Sequence, residues 1–272
     1  MKPLGMARRD SLPGRDEIPG MSYDSHISDM LESLYAAMDA GRGWSLVRVG
    51  DGEQRVLAAE QPPWTNAEGG GMDDAGSLDM LRRLSIDAIR NADWVGWFAN
   101  HDTDIAPLEA FDIRPAPERS QCAWVNQHMA ARRSFVEKVL RESSLFLAGN
   151  PMQAWVDAAL HPLGLGENAK VYQGNCEPRI WMDCRDILQA INRSPAQVVI
   201  VSLGIWALPV CDFAKSIGKV AIDYGHAPDE MMPGHVRYHL PNTCCENSPA
   251  GTMAHYAHST WPPGGILPEK GY

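Results

Sequence analysis

The run Arg48-Val49-Gly50-Asp51-Gly52-Glu53 sets two carboxylates one residue apart, framed by glycines and just beyond a basic side chain. Carboxylates in that pattern are hard oxygen donors suited to Mg²⁺ or Mn²⁺, ions that keep coordination positions free for water and for a substrate's phosphate oxygens. Gly50 and Gly52 read as a tight turn whose backbone angles are closed to other residues, carrying Asp51 and Glu53 toward one point. The plainer alternative is that Asp-Gly marks a turn and nothing more.

Other polar groups are placed where they could join such a site. "HDTD" presents Asp102 and Asp104 at the same i, i+2 spacing, which suits a metal-bound sugar nucleotide or sugar hydroxyls; its alternative is a capped loop, with Asp104 leading into a short helix near Pro107. Gly204, after "VVIVSL", would let a phosphate approach the N-terminus of the following helix, where free N–H groups favour an anion. Ile205 and Trp206 are bulky for that task; Trp206 either stacks on a base or packs in the core. Asp223 and His226 follow the apolar run "VAI".

These groups need a scaffold that brings them to one edge. Ile27, Met30, Leu31, Leu34 and Met38 trace a helical stripe, with Asp24 or Ser25 as N-cap and Gly41 as the stop. Apolar strands follow at "WSLVRVG", "WVGWFA" (94–99), "SLFLAG" (144–149), "AKVYQG", "QVVIVSLG" and "KVAID", alternating with helical patterns. Those helices run through Leu78 to Ile89, Phe135 to Leu140, a segment with Asn150 as cap and Pro151 as first residue, "IWMDCRDILQAIN" and "ALPVCDFAKSIG". A Pro- and Gly-rich loop at 60–77 has the length of a lid, and an irregular Pro-containing segment follows "HDTD".

Strands apolar on both faces and alternating with helices predict an α/β, doubly wound, mainly parallel Rossmann-like sheet, because parallel strands need crossover helices on both faces. In such a sheet, ligands sit beyond the carboxyl ends of the strands, where the polar groups named above all fall. Residues 1–22 are expected to be a disordered tail and 23–230 a single α/β domain. Residues 231–272, rich in Pro, Gly and His, are expected to form an irregular C-terminal segment packed on the core.

Lys and Arg total 24 against 34 Asp and Glu, a formal charge of −10. That excludes a broad basic surface for a polyanion, though Arg82, Arg83, Arg132 and Arg133 could form a local patch rather than solvated helix faces. Six cysteines scattered without a secretory signal predict reduced, mostly buried thiols and a cytoplasmic setting. No apolar run reaches the roughly 18 to 20 residues that span a bilayer, so no membrane insertion is expected. His235, His239, Cys244, Cys245, His255 and His258 could ligate zinc, but no C-x-x-C pair is present and ordinary loop residues are the simpler account.

The sequence resembles the GT-D-fold glycosyltransferases, metal-dependent enzymes that use nucleotide sugars. Their Arg-x-Gly-Asp-Gly-Glu turn is matched by Arg48, Gly50, Asp51, Gly52 and Glu53. Their Leu-Gly turn, Asp-containing helix and Asp-x-Gly-His strand end are matched by Leu203, Gly204, Asp212, Asp223, Gly225 and His226. The resemblance implies that Asp51 and Glu53 form a DxE element serving Mn²⁺ or Mg²⁺ and the nucleotide diphosphate. It places Asp223 and His226 in the donor pocket, with Glu230 matching an acid that often follows the histidine. Ile205-Trp206 stands in place of small residues and "APDE" in place of an earlier acid, which leaves donor identity open.

The expected activity is therefore hexosyl or pentosyl transfer from a nucleotide sugar, UDP-linked, to a hydroxyl acceptor. The acceptor is either a glycan or glycoprotein or a hydroxymethylated base in phage-type DNA, and a homodimer stays open. The catalytic candidates are Asp51, Glu53, Asp102, Asp104, Asp223 and Glu230, with Asp102, Asp104, Asp223 and Glu230 as candidate bases. Arg48, Gly50, Gly52, Gly204, Trp206 and His226 are the candidate donor-binding residues. The alternatives are a non-catalytic nucleotide-sugar-binding module and a metal-dependent phosphohydrolase.

Overall fold

A computed structural model of the chain describes residues 23–58, 75–97, 119–123, 125–130, 132–176 and 184–228. Asp102, Asp104, Glu230, most of the loop at 60–77, the expected tail and the late His and Cys residues lie outside the described residues.

Among the described residues seven strands build one sheet: β1 (Trp44–Val49), β2 (Trp94–Trp97), β3 (Ser120–Cys122), β4 (Leu145–Gly149), β5 (Ala169–Val171), β6 (Val198–Ser202) and β7 (Val220–Asp223). Their order is β3-β2-β1-β7-β6-β4-β5, and every pairing is parallel. The sheet is doubly wound, as the alternation of apolar strands and helices predicts. Strands β1, β4 and β7 are buried along their whole length, the signature of a parallel sheet covered on both faces.

Among the described residues eight helices supply that cover: α1 (Tyr23–Asp39), α2 (Asp51–Leu57), α3 (Ala75–Asn91), α4 (Val125–Ala130), α5 (Arg133–Phe135), α6 (Met152–Trp155), α7 (Arg185–Arg193) and α8 (Ala207–Ser216). Wider π-type turns extend α5 through Val136–Arg141 and α6 through Val156–Leu160. Ile27, Leu34, Val125, Met129, Phe135 and Trp155, from α1, α4, α5 and α6, pack on one face with Leu46 and Ile222. Val56, Leu81, Ile187 and Val210, from α2, α3, α7 and α8, pack on the other with Val47 and Val199. Among the described residues no helix is long and apolar enough to cross a membrane.

Three local expectations are corrected. Helix α1 begins at Tyr23, so Asp24 and Ser25 lie inside its first turn rather than capping it. Pro151, not Asn150, is the N-cap of α6: its carbonyl already accepts from the Trp155 N–H at 2.9 Å. The irregular segment after "HDTD" ends in β3 and α4, too short and too polar for periodicity to reveal. Cys184 and Cys211 are buried and Cys176 is half-buried, and among the described residues these three form no disulfide.

Candidate active site

At the carboxyl end of β1 the regular pairing with β7 gives way to side-chain chemistry. The Arg48 N–H donates to Asp223 Oδ2 at 3.2 Å, and Asp223 Oδ1 accepts from the Gly225 N–H at 3.1 Å. The Asp223 carboxylate thus bridges the ends of two adjacent strands. The Arg48 guanidinium donates through Nε to the Ala123 carbonyl at 2.6 Å, and its Nη1 lies 4.0 Å from Asp223 Oδ1. Both side chains are buried.

Gly225 makes that arrangement possible. It sits at φ +48, and a Cβ there would overlap Arg48 Nη1. A left-handed residue without a side chain is therefore required in this turn, both for its backbone angle and for the guanidinium laid against it.

Beyond Val49 the chain turns straight into α2, which corrects the expectation of a glycine-shaped turn. Gly50 is the N-cap at φ −87, ψ −169, extended geometry open to any residue, and Gly52 is buried within the first helical turn. Asp51 is the first residue of that helix. Glu53 turns back so that its Oε2 accepts from the Gly50 N–H at 2.8 Å, half of a capping box. Glu53 is read from sequence as a metal ligand; the fold also makes it the anchor of its own helix.

Burial, with the Asp223 charge behind it, pushes the Glu53 carboxyl up from 4.5 to about 7, although its own and the Gly50 N–H bonds and Arg48 pull the other way. Burial likewise raises Asp223 above the ordinary carboxylate range against the pull of Arg48 and of two backbone N–H groups. Among the described residues, Arg48 is the cation whose charge acts on both carboxylates. No group of three or more His, Cys, Asp or Glu among the described residues forms a metal cluster; a divalent ion held at these carboxylates would take its remaining positions from water and substrate oxygens.

The remaining candidates divide. Gly204 follows β6 at φ +53 with open space where a Cβ would be, in a 3₁₀ turn (Gly204–Trp206) against which α2 packs. His226 is exposed in the turn after β7. Of the two alternatives for Trp206, the fold places it in the apolar core: it is 3% exposed and packs with Val201, Leu203 and Ile205. Asp212, matched through the family resemblance, accepts from Asn91 Nδ2 on α3 at 3.1 Å.

Sequence reasoning missed the third wall, built by β3 and α4. Ala123 supplies the carbonyl that orients Arg48, and Asn126 donates through Nδ2 to the Tyr224 carbonyl at 2.7 Å, tying α4 to the end of β7. Gln121 and Asn126 are 6% and 1% exposed. Both amide atoms of Gln121, and Oδ1 of Asn126, have no hydrogen-bond partner among the described residues. The one available signal was the apolar pair Val125 and Met129, four residues apart.

No curated protein matches the sequence. Residues 26–231 match the model of a family described as a GT-D fold-like domain. Two solved structures align over 76% of this chain and 83% of theirs, each with a TM-score of 0.46. One, 17% identical, is described by the words "The highly conserved domain of unknown function 1792 has a distinct glycosyltransferase fold". The other, 16% identical, is the selenomethionine-substituted structure of domain of unknown function 1792.

Proposed function

The chain belongs to the family of GT-D fold-like domains, a glycosyltransferase class, and on that premise we propose that it moves a sugar from a UDP-linked nucleotide sugar to a hydroxyl acceptor with the help of Mn²⁺ or Mg²⁺. The observation that carries this reading is the Asp223 carboxylate bridging the ends of β1 and β7 beside the Arg48 guanidinium, with Glu53, in the first turn of α2, close enough to feel its charge. Asp51 and Glu53 would hold the ion, which supplies charge neutralisation for a diphosphate leaving group.

Around it, the chain's own residues have separable tasks. Arg48, held by Ala123 and laid against Gly225, keeps Asp223 in place at the rim. Asp223, fixed at the rim by the Arg48 and Gly225 N–H groups, is the candidate to take the proton of an incoming hydroxyl. Gly204 leaves its turn open to a phosphate. The net charge of −10 favours a glycan acceptor over DNA.

The test is UDP release from a panel of UDP-sugars with and without Mn²⁺, on wild type, Asp51→Ala and Glu53→Ala. Metal-dependent release that falls at least roughly 100-fold in either variant is expected, since the ion's charge stabilisation amounts to several kcal/mol. Phosphate release from simple esters would instead identify a phosphohydrolase. Tight UDP-sugar binding with no turnover would identify a binding module.

A further inference from the structure

The polar atoms without partners are not scattered evenly. Of six buried side-chain atoms lacking a hydrogen bond among the described residues, three belong to Gln121 and Asn126. Folded proteins hold few such atoms, because an unmet buried donor or acceptor loses its water without replacement.

Their placement follows from the register. Arg48 pairs with Gly96, and Gly96 pairs with Gln121. Partners across a parallel ladder project to the same face, so Arg48 and Gln121 stand on one face about 10 Å apart, two strand spacings. Gly96 contributes no side chain between them. Helix α4 covers this face, and its second residue, Asn126, is held there by the Tyr224 carbonyl with Oδ1 left over.

The unmet chemistry specifies a ligand. Arg48 is already engaged with Ala123 and Asp223, which leaves two carbonyl-type oxygens and one NH₂ group. A phosphate or carboxylate only accepts and would set negative oxygens against Oε1 and Oδ1. An ammonium only donates and leaves the NH₂ unmet. Hydroxyl groups donate and accept, so a neutral polyol satisfies all three atoms.

We propose that Gln121 and Asn126 form a sugar subsite in which their amides read hydroxyls of the transferred ring, on the β2–β3 side of Arg48, while the diphosphate lies on the α2–β7 side. This assignment rests on the nucleotide-sugar reading and names the residues that select the sugar.

Gln121→Met keeps length and volume and removes only the amide. It is expected to hold or raise Tm, since an unmet buried polar group is gone, and to bind UDP with Mn²⁺ at wild-type affinity in calorimetry. Affinity for UDP-glucose, UDP-galactose or UDP-N-acetylglucosamine, whichever wild type prefers, should fall about tenfold, the effect of one buried hydrogen bond to a neutral hydroxyl. Gln121→Asn, which keeps the amide but withdraws it by one carbon, should show the same selective loss and serves if the Met variant does not fold.

Unchanged UDP-sugar affinity overturns the proposal, as does an equal loss for UDP and UDP-sugar. A lowered Tm with sugar binding intact would assign the amide to internal waters and overturn it too. If wild type binds no nucleotide, the donor reading fails by itself. The subsite is then tested with methyl hexosides: a saturable thermal shift lost in Gln121→Met sustains it, and no shift overturns it.

Discussion

Replacing Glu53 by Gln removes one charge from the carboxylate pair while leaving an oxygen to accept from the Gly50 N–H, so α2 keeps its anchor. In the folded protein the Glu53 carboxyl sits at about 7 against 4.5. A raised acid keeps its proton when folded at pH values where the unfolded chain has lost it. Its favourable contribution is therefore whole below the unfolded value, declines by about 1.4 kcal/mol per pH unit through the interval, and is gone above the folded value. Carried across the whole interval, the effect is about 3 kcal/mol, and solvent screening of the half-buried side chain brings it toward half of that. Urea unfolding of wild type and Glu53→Gln, in EDTA at pH 5, 6, 7 and 8, isolates the Glu53 contribution as the difference between the two curves. The curves should meet near pH 5, with the variant more stable by about 1.5 to 3 kcal/mol at pH 8. Mn²⁺ should restore wild type at pH 8 and leave the variant unmoved. Curves that run parallel from pH 5 to 8 would refute the claim that burial and Asp223 penalise the Glu53 charge. So would a wild type that gains on the variant as pH rises.

Two glycines in positive-φ turns should respond differently to alanine. At Gly204 a Cβ meets open space, so Gly204→Ala is expected to cost about 1 kcal/mol for the backbone angle alone, read by Tm. At Gly225 the added carbon displaces the Arg48 guanidinium, so Gly225→Ala should cost more stability and also lower UDP-sugar turnover. Trp206→Leu should destabilise by about 1 to 3 kcal/mol and leave UDP affinity unchanged, because the ring fills the core; UDP binding lost at wild-type stability would instead put the indole on the base.

Much of the molecule was legible because its signals are local. The apolar runs of β1, β4, β6 and β7 and the stripes of α1, α3 and α8 each carry their own periodicity, and alternation of the two predicts a doubly wound parallel sheet. The acid pair at Asp51 and Glu53 and the Asp223 strand end were found the same way, as residue types at a sheet's carboxyl edge. Local signals also misled. Gly50-Asp51-Gly52-Glu53 has the composition of a turn, yet Glu53 reaches back to the Gly50 N–H and the chain goes directly into helix.

What the amino-acid order determined by itself was therefore the class of fold and the edge on which chemistry gathers, since both depend on burial patterns spanning a few residues. Only the tertiary structure decided which groups meet. The Arg48 N–H finds Asp223 across 175 positions, its guanidinium finds Ala123 across 75, and Asn126 finds Tyr224 across 98. Strand order sets those encounters, and order depends on how whole helices cover the sheet, a property no short window of sequence contains. The raised pKa values of Glu53 and Asp223 arise at the same level, because exclusion of water from both, and the Asp223 charge beside Glu53, exist only once β1 lies beside β7.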